Sequence, residues 1–234
     1  EPDPKKLTRL HVEDGVHLND LGQLAMAYAM LKGLGAPADV SSASVDALNG
    51  TLLSAEGCSV SGIRKLDHGI EFVRLDEGLP LNLGILSGLN HRWVPIPEGI
   101  NRYLLAVKNL PPGTCEIRAE GRLLGKVSAE RLARGLNISS MTADGWEPGG
   151  PWDAQSDIVK ELVDARDKLW MSSLLRSRYL TNHPQDLKLE KSTRDLDERL
   201  VSLQRATARP YPYHFQIRCD AVGSKRGSVP DGEP

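Results

Sequence analysis

The spacing of the apolar residues changes partway along this 234-residue chain, and that change limits the folds it can adopt. Between residues 40 and 127 the apolar residues form short runs separated by turn-forming residues. The strongest signal is Asn49-Gly50 between two such runs, because this dipeptide suits the type I′ turn of a β-hairpin. A second hairpin is predicted around Asp67-His68-Gly69. The region therefore indicates a compact, β-sandwich-like unit.

The second half of the chain has the spacing of helices. Over residues 153–179 the apolar residues recur three and four positions apart, which is typical of one helix face (Ile158, Leu162, Ala165, Leu169). A second helix is predicted over 187–209, after a break at Asn182-His183-Pro184. The two helices are expected to form an antiparallel hairpin. Residues 211–218 follow as a strand that returns to the β unit.

Composition narrows the function classes. The chain is 40% hydrophobic and 26% charged, as soluble globular proteins are, and its net charge of −2 gives no electrostatic footprint for nucleic acid or an anionic membrane. Cys58, Cys115 and Cys219 are far apart, so neither a zinc site nor a redox pair is predicted, and which pair is bridged stays open. We expect no cofactor, no metal, no nucleic-acid partner and no membrane partner.

The pair Asp14 and His17 carries the chemistry predicted from the sequence. The Asp lies three residues before the His on a short loop that enters a helix, so its carboxylate can reach the near ring nitrogen. The carboxylate can then fix the tautomer while the far nitrogen takes a proton from a nucleophile. The alternatives are a loop histidine without a special role and a helix-capping Asp14. Asn19 or Asp20 is better placed to cap.

The pattern Asp14-x-x-His17-x-Asn19-x-x-Gly22 resembles the last conserved block of the GDSL-type, or SGNH, hydrolases. Leu18 stands where that family commonly has Pro, and Gln23 stands where it commonly has a second His. The match covers roughly the first 37 residues. No Gly-Asp-Ser nucleophile block is present, and Gly88-Leu89-Asn90-His91, which comes after the His block, is interpreted as a loop.

The resemblance implies that this chain is the C-terminal portion of a longer bacterial hydrolase with a β/helical extension. Asn101-Arg102-Tyr103 and Leu110-Pro111-Pro112-Gly113 are similar to that extension. His17 would be the general base and Asp14 its orienting acid, while the serine lies in an N-terminal portion that this sequence lacks. Small-molecule or carbohydrate esters are the implied substrates, and a secreted or periplasmic location is implied. The chain alone is expected to be inactive.

The expected fold class is α+β, in four segments. Residues 1–37 are the last strand, loop and helix of an SGNH domain, and that helix, over 21–32, is expected to be mostly buried. Residues 38–143 are a β-rich accessory domain, 144–220 a helical hairpin with its returning strand, and 221–234 a disordered tail. The alternative function is a non-catalytic module that binds carbohydrate or a protein partner. Packing is the favoured role for all four tryptophans, Trp93, Trp146, Trp152 and Trp170.

Overall fold

The computed structural model describes residues 10–82, 93–147, 149–179 and 186–220. Four predictions lie wholly or partly outside these residues: the strand of the first segment, predicted over 7–12, the loop 88–91, the break 182–184 and the disordered tail. In the described ranges the chain forms nine strands and five helices: α1 (Asp20–Gly33), β1 (Asp39–Asp46), β2 (Thr51–Glu56), β3 (Cys58–Leu66), β4 (Gly69–Asp76), α2 (Ile96–Ile100), β5 (Arg102–Lys108), β6 (Thr114–Ala119), β7 (Arg122–Ser128), α3 (Ala129–Arg134), β8 (Leu136–Asn137), α4 (Pro151–Tyr179), α5 (Asp186–Thr207) and β9 (Tyr213–Cys219).

The first sheet has the strand order β2-β1-β5-β8. Strands β1 and β2 form the predicted hairpin around Asn49-Gly50, where Gly50 has a φ of 69° that glycine adopts without strain. The Asp46 carboxylate accepts hydrogen bonds from the backbone of Leu48 and the side chain of Asn49, which fixes the turn. Strand β5 then pairs with β1 in parallel, so this sheet is mixed.

The second sheet is antiparallel, with the order β3-β4-β9-β6-β7. Strand β9 lies between β4 and β6, which confirms the predicted return of a C-terminal strand to the β unit. Cys115 and Cys219 face each other across β6 and β9 and form a disulfide, and Cys58 is a free thiol. The predicted domain boundaries stay a prediction, although residues on both sides of position 143 share this sheet.

One hydrophobic core lies between the two sheets. It takes side chains from the first sheet, such as Val45 and Leu105, and from the second, such as Phe72 and Ile217. Phe72 and Phe215 stack with ring centroids 5.4 Å apart, and Trp152 stacks on Phe215 at 5.3 Å. The expected α+β class is confirmed, with two packed sheets and the helices placed around them.

A buried arginine joins the two sheets. Arg74 of β4 is fully buried, and its guanidinium donates to the Asp76 carboxylate at 2.9 and 3.0 Å. It also donates to the Leu104 carbonyl at 2.9 Å and to the Ser41 hydroxyl at 2.7 Å, both in the first sheet. The Asp76 carboxylate balances the charge of Arg74, and most of its N–H groups donate hydrogen bonds. Arg74 can therefore be buried without leaving an unpaired charge in the core.

The predicted helical hairpin is confirmed. Helices α4 and α5 run antiparallel, with Arg166 on Asp197 at 2.8 Å and Arg176 on Thr193 at 2.9 Å. Gln155 anchors the base of the hairpin by donating to the carbonyls of Thr207 and Arg209. None of the helices in the described ranges is both long and apolar enough to cross a membrane.

Three local expectations are wrong. Helix α1 buries only Gly22, because it packs chiefly on the short helix α2 and its apolar residues face outward. The apolar and proline residues of 93–97 predict an extended segment, but residues 96–100 form the helix α2, with Val94 and Ile96 buried. Packing was the favoured role for all four tryptophans, and Trp152 is buried, yet Trp93, Trp146 and Trp170 are 54%, 80% and 62% exposed. Apolar spacing shows that a helix has a face, but it does not show what covers that face.

Candidate active site

The segment 10–19 is a tight loop closed by its own backbone. His11 and Leu18 form an isolated antiparallel bridge, and the Val12 amide donates to the His17 carbonyl at 2.9 Å. The Gly15 amide donates to the Val12 carbonyl at 3.0 Å, and Gly15 takes a φ of 71° at the tip. The loop therefore brings residues 14 and 17 to the same side without help from the rest of the chain.

Helix α1 begins directly after this loop and holds it in place. The Asn19 side chain accepts a hydrogen bond from the Gly22 amide at 2.9 Å, so Asn19 is the N-cap, of the two residues Asn19 and Asp20 that the sequence offered. Gly22 also lies against the loop backbone, because a Cβ at this position would come 2.1 Å from the Leu10 carbonyl oxygen. A glycine is thus required for the helix to approach the loop so closely, and Asp14 is left free of the capping role.

The two predicted site residues are in contact. The Asp14 carboxylate oxygen Oδ2 lies 2.6 Å from His17 Nδ1. The other oxygen, Oδ1, accepts hydrogen bonds from the backbone amides of Val16 at 2.9 Å and His17 at 3.0 Å. These bonds, the His17 side-chain bond first, lower the pKa of Asp14 from its ordinary value. Asp14 is therefore ionised at neutral pH and aims its second oxygen at the imidazole.

The far side of the imidazole is open. The His17 side chain is 79% exposed and that of Asp14 is 45% exposed. Among the residues that the structure describes, none hydrogen-bonds to Nε2 of His17. With Nδ1 held by the carboxylate as a donor, Nε2 is the nitrogen that can accept a proton from a hydroxyl. The pair thus has the arrangement of a general base and its orienting acid.

The third member of such a triad is not found in the described residues, where no serine hydroxyl or cysteine thiol contacts His17. His68 and His214 lie on the β body, and His214 faces Glu71 at 3.6 Å. Within the described ranges no three His, Cys, Asp or Glu side chains are grouped closely enough to hold a metal ion. A cavity of about 810 Å³ lies along the α4–α5 hairpin and is lined by neither site residue.

No family model matches the chain, and no curated protein matches it either. Among solved structures, the chain is similar to one described as BT4096, a gut microbial diltiazem-metabolizing enzyme. The two share a TM-score of 0.75 and 22% sequence identity. The likeness covers 91% of this chain and 57% of that chain, so this chain spans little more than half of its neighbour's length. At this identity the likeness shows a shared fold.

This comparison corrects the family assignment made from the sequence. The resemblance to the C-terminal portion of a GDSL-type hydrolase depended chiefly on one loop and its helix, whereas the likeness to the solved structure covers 91% of the chain. Most of the described chain is built around two sheets, one mixed and one antiparallel, which begin after the block that carried the resemblance. The assignment to that family is therefore wrong. Asp-x-x-His is a short pattern that any tight loop before a capped helix can produce.

Proposed function

We propose that this chain belongs to an ester hydrolase in which His17 is the general base and Asp14 its orienting acid. The observation that carries the proposal is the 2.6 Å contact between Asp14 Oδ2 and His17 Nδ1, with the other ring nitrogen open to solvent. The neighbour's description as a drug-metabolizing enzyme supports an enzymatic role. The proposal depends on this geometry and not on the rejected family resemblance.

In the proposed reaction, His17 first accepts a proton from the nucleophile and then donates it to the leaving group. Nε2 takes the proton of a nucleophilic hydroxyl while the hydroxyl oxygen attacks the ester carbonyl carbon. The resulting imidazolium is stabilised by the Asp14 carboxylate and returns its proton to the departing alcohol oxygen. A water molecule then attacks the acyl-enzyme, loses its proton to His17 by the same route, and releases the carboxylic acid and the free hydroxyl.

The nucleophile is proposed to lie in a segment of the same protein outside these 234 residues. Helix α1 leads away from the site, and Met26, Met30 and Leu31 on it are exposed, as is Leu34 just beyond its end. Val16, the neighbour of His17, is also strongly exposed. A further segment that covered this surface would bring its hydroxyl to His17, and the structural neighbour has length to spare, since this chain covers 57% of it.

The proposed substrates are small-molecule or carbohydrate esters. An exposed imidazole on a loop can meet a substrate that arrives from solvent, whereas a closed apolar pocket would select a narrower class. Diltiazem carries an acetyl ester, which makes it a suitable probe beside a nitrophenyl acetate. Rates measured on a panel of esters that differ in the acyl group and in the alcohol would identify the preferred substrate.

The test is ester hydrolysis by the product of the complete reading frame. His17→Ala should lower kcat/KM by about 10²- to 10⁴-fold, the range of general acid–base catalysis. His11→Ala is the matched control, because His11 lies on the same loop and its ring makes no hydrogen bond among the described residues. A His17→Ala enzyme within a few fold of wild type would remove His17 from the mechanism.

The chain of 234 residues provides a second test. Without a nucleophile beside Nε2, the purified chain should hydrolyse nitrophenyl acetate only slightly faster than free imidazole does. Rapid turnover by this chain alone would show that its own residues supply the nucleophile, and it would contradict the proposed division of the site.

A non-catalytic binding module is the second candidate, and one observation favours it. Trp146 is 80% exposed beside the Gly-rich segment 149–151, and an exposed indole can stack on a sugar ring. Pull-down on insoluble glycans separates the two candidates. Binding that Trp146→Ala abolishes, together with an inactive complete protein, favours the module; ester hydrolysis that requires His17 favours the enzyme.

A further inference from the structure

The Asp14–His17 pair is held by the backbone of its own loop. Both side chains are open to solvent, that of His17 to 79% and that of Asp14 to 45%, so packing against a core does not fix the imidazole. The backbone bonds of the loop set where residues 14 and 17 lie, and the contact between the two side chains depends on those positions. A residue that holds the base of this loop therefore also holds the pair.

Two backbone hydrogen bonds close the loop at its base. The Leu10 carbonyl accepts from the Asn19 amide at 3.0 Å, and the His17 carbonyl accepts from the Val12 amide at 2.9 Å. Both bonds flank the antiparallel bridge that joins residues 11 and 18. A displacement of the Leu10 carbonyl therefore changes the spacing of the two chain segments at His17.

Gly22 lies directly against that carbonyl, and it is the buried residue of α1. A Cβ at this position would lie 2.1 Å from the Leu10 carbonyl oxygen and 3.0 Å from Cδ2 of Leu18. The carbonyl oxygen belongs to the backbone, so it cannot turn aside as the end of a flexible side chain can. Any side chain larger than hydrogen would thus move either the helix or the loop.

Helix formation alone does not favour glycine here. Gly22 is the third residue after the N-cap Asn19, a position where Glu or Gln could complete a capping box. Glycine is among the poorest helix formers. Gly22 is also absent from the glycines with a positive φ, so its backbone conformation does not require glycine. The close approach to the loop is the reason that remains.

Helix α1 is anchored at its far end, so the loop is the part that yields. Tyr28 packs on Gly99 of α2, where a Cβ would lie 2.2 Å from the Tyr28 hydroxyl oxygen. Lys32 donates to the Gly99 carbonyl at 3.4 Å. Residues 10–17, by contrast, are all exposed. A methyl group at Gly22 would therefore displace the loop more than the helix.

We propose that Gly22 is a positioning residue for the general base. It allows α1 to begin directly against the base of the loop, and the backbone bonds of the loop then hold His17 beside Asp14. Gly22 acts through the Leu10 carbonyl and not by contact with the reacting atoms. The inference rests on the proposed function, because positioning matters to catalysis only if His17 is the base.

The first test is titration of Asp14 in the intact 234-residue chain by nuclear magnetic resonance. Gly22→Ala should displace the Leu10 carbonyl, lengthen the Asp14–His17 contact and raise the Asp14 pKa toward its ordinary value. Gly33→Ala is the matched control, because Gly33 lies on the same helix and a Cβ there would meet nothing within 4 Å. The control should leave the Asp14 pKa unchanged. An unchanged Asp14 pKa in Gly22→Ala would overturn the proposal.

The second test is ester hydrolysis by the complete protein. Gly22→Ala should lower kcat about 10- to 100-fold and change KM no more than about twofold, because a base misplaced by about 1 Å loses transition-state stabilisation and not substrate binding. Gly33→Ala should keep both constants. A role in helix stability alone predicts the reverse for Gly22→Ala, since alanine is the better helix former. Full activity of Gly22→Ala, or equal losses in the two variants, would overturn the proposal.

The N-cap provides an independent variant. Asn19→Ala removes the side chain that accepts from the Gly22 amide and should lower kcat, whereas Asn19→Ser, which also caps helices well, should keep most of it. Far-ultraviolet circular dichroism and the intact Cys115–Cys219 disulfide verify that each variant is folded. An active His17→Ala enzyme would overturn the proposed function. An active Gly22→Ala enzyme beside an inactive His17→Ala enzyme would overturn only the role of Gly22.

Discussion

At the scale of residues, the Asp14–His17 pair shows what local spacing determines. The sequence predicted both residues and their roles, and the structure places their side chains 2.6 Å apart. Three residues of separation suffice because the loop is closed by its own backbone bonds and ends on a capped helix. Their catalytic roles stay a proposal, since the group on which His17 would act lies outside the described residues.

Titration of Asp14 tests whether the contact forms in solution. Its pKa is lowered below 3.8, chiefly by the His17 hydrogen bond, so the carboxylate stabilises the folded loop above its ordinary pKa. That stabilisation is lost as the pH falls through the lowered value. Carboxyl carbon shifts in nuclear magnetic resonance should place the Asp14 pKa below that of an ordinary aspartate, and His17→Ala should raise it.

The carboxyl of Asp46 is the control for that titration. Its pKa is lowered as well, but chiefly by the side chain of Asn109, so His17→Ala should leave it unchanged. An Asp14 pKa that is ordinary in the wild type would show that the contact with His17 does not persist in solution.

At the scale of elements, the turns and helix caps were the predictable part. The Asn49-Gly50 turn and the cap at Asn19, one of two predicted cap residues, each act over a few residues, and both are confirmed. The order of strands could not be predicted in this way. That β9 lies between β4 and β6, and that β5 pairs in parallel with β1, depends on contacts between distant residues.

The disulfide provides a prediction at this scale, because it ties β9 to β6 across 104 residues of sequence. Replacing both Cys115 and Cys219 with Ala should lower the free energy of unfolding by about 2–5 kcal/mol. Urea unfolding measures the loss. Cys58→Ala removes a free thiol of intermediate burial and should change stability by no more than about 1 kcal/mol. Equal losses in the two variants would show that the crosslink does not stabilise the fold.

At the scale of the whole molecule, Arg74 joins the two sheets that share the core. Arg74→Leu should lower the free energy of unfolding by about 3–5 kcal/mol, because it leaves the Asp76 carboxylate without its buried counter-charge. Thermal unfolding gives the measurement. Arg118→Leu is the control, since the Arg118–Glu116 pair is open to solvent in part, whereas Arg74 is fully buried, and its loss should cost at most about 1 kcal/mol. A stable Arg74→Leu variant would mean that packing alone holds the sheets together.

The family of the molecule was the prediction that failed at this scale. A block of about ten residues suggested a known hydrolase family. A solved structure with 22% identity is nevertheless similar in fold over 91% of the chain, far beyond that block. A short motif reports the chemistry of a loop, whereas a fold depends on the whole core. The site and the fold therefore have to be tested separately.

The most direct test of the central claim is chemical rescue of the complete protein. If His17 is the base, His17→Ala should lose about 10²- to 10⁴-fold in kcat/KM, and added imidazole should restore part of the lost rate by replacing the missing ring. His11→Ala should lose little and should not respond to imidazole. A folded His17→Ala enzyme that keeps its activity, or that imidazole does not rescue, would contradict the assignment.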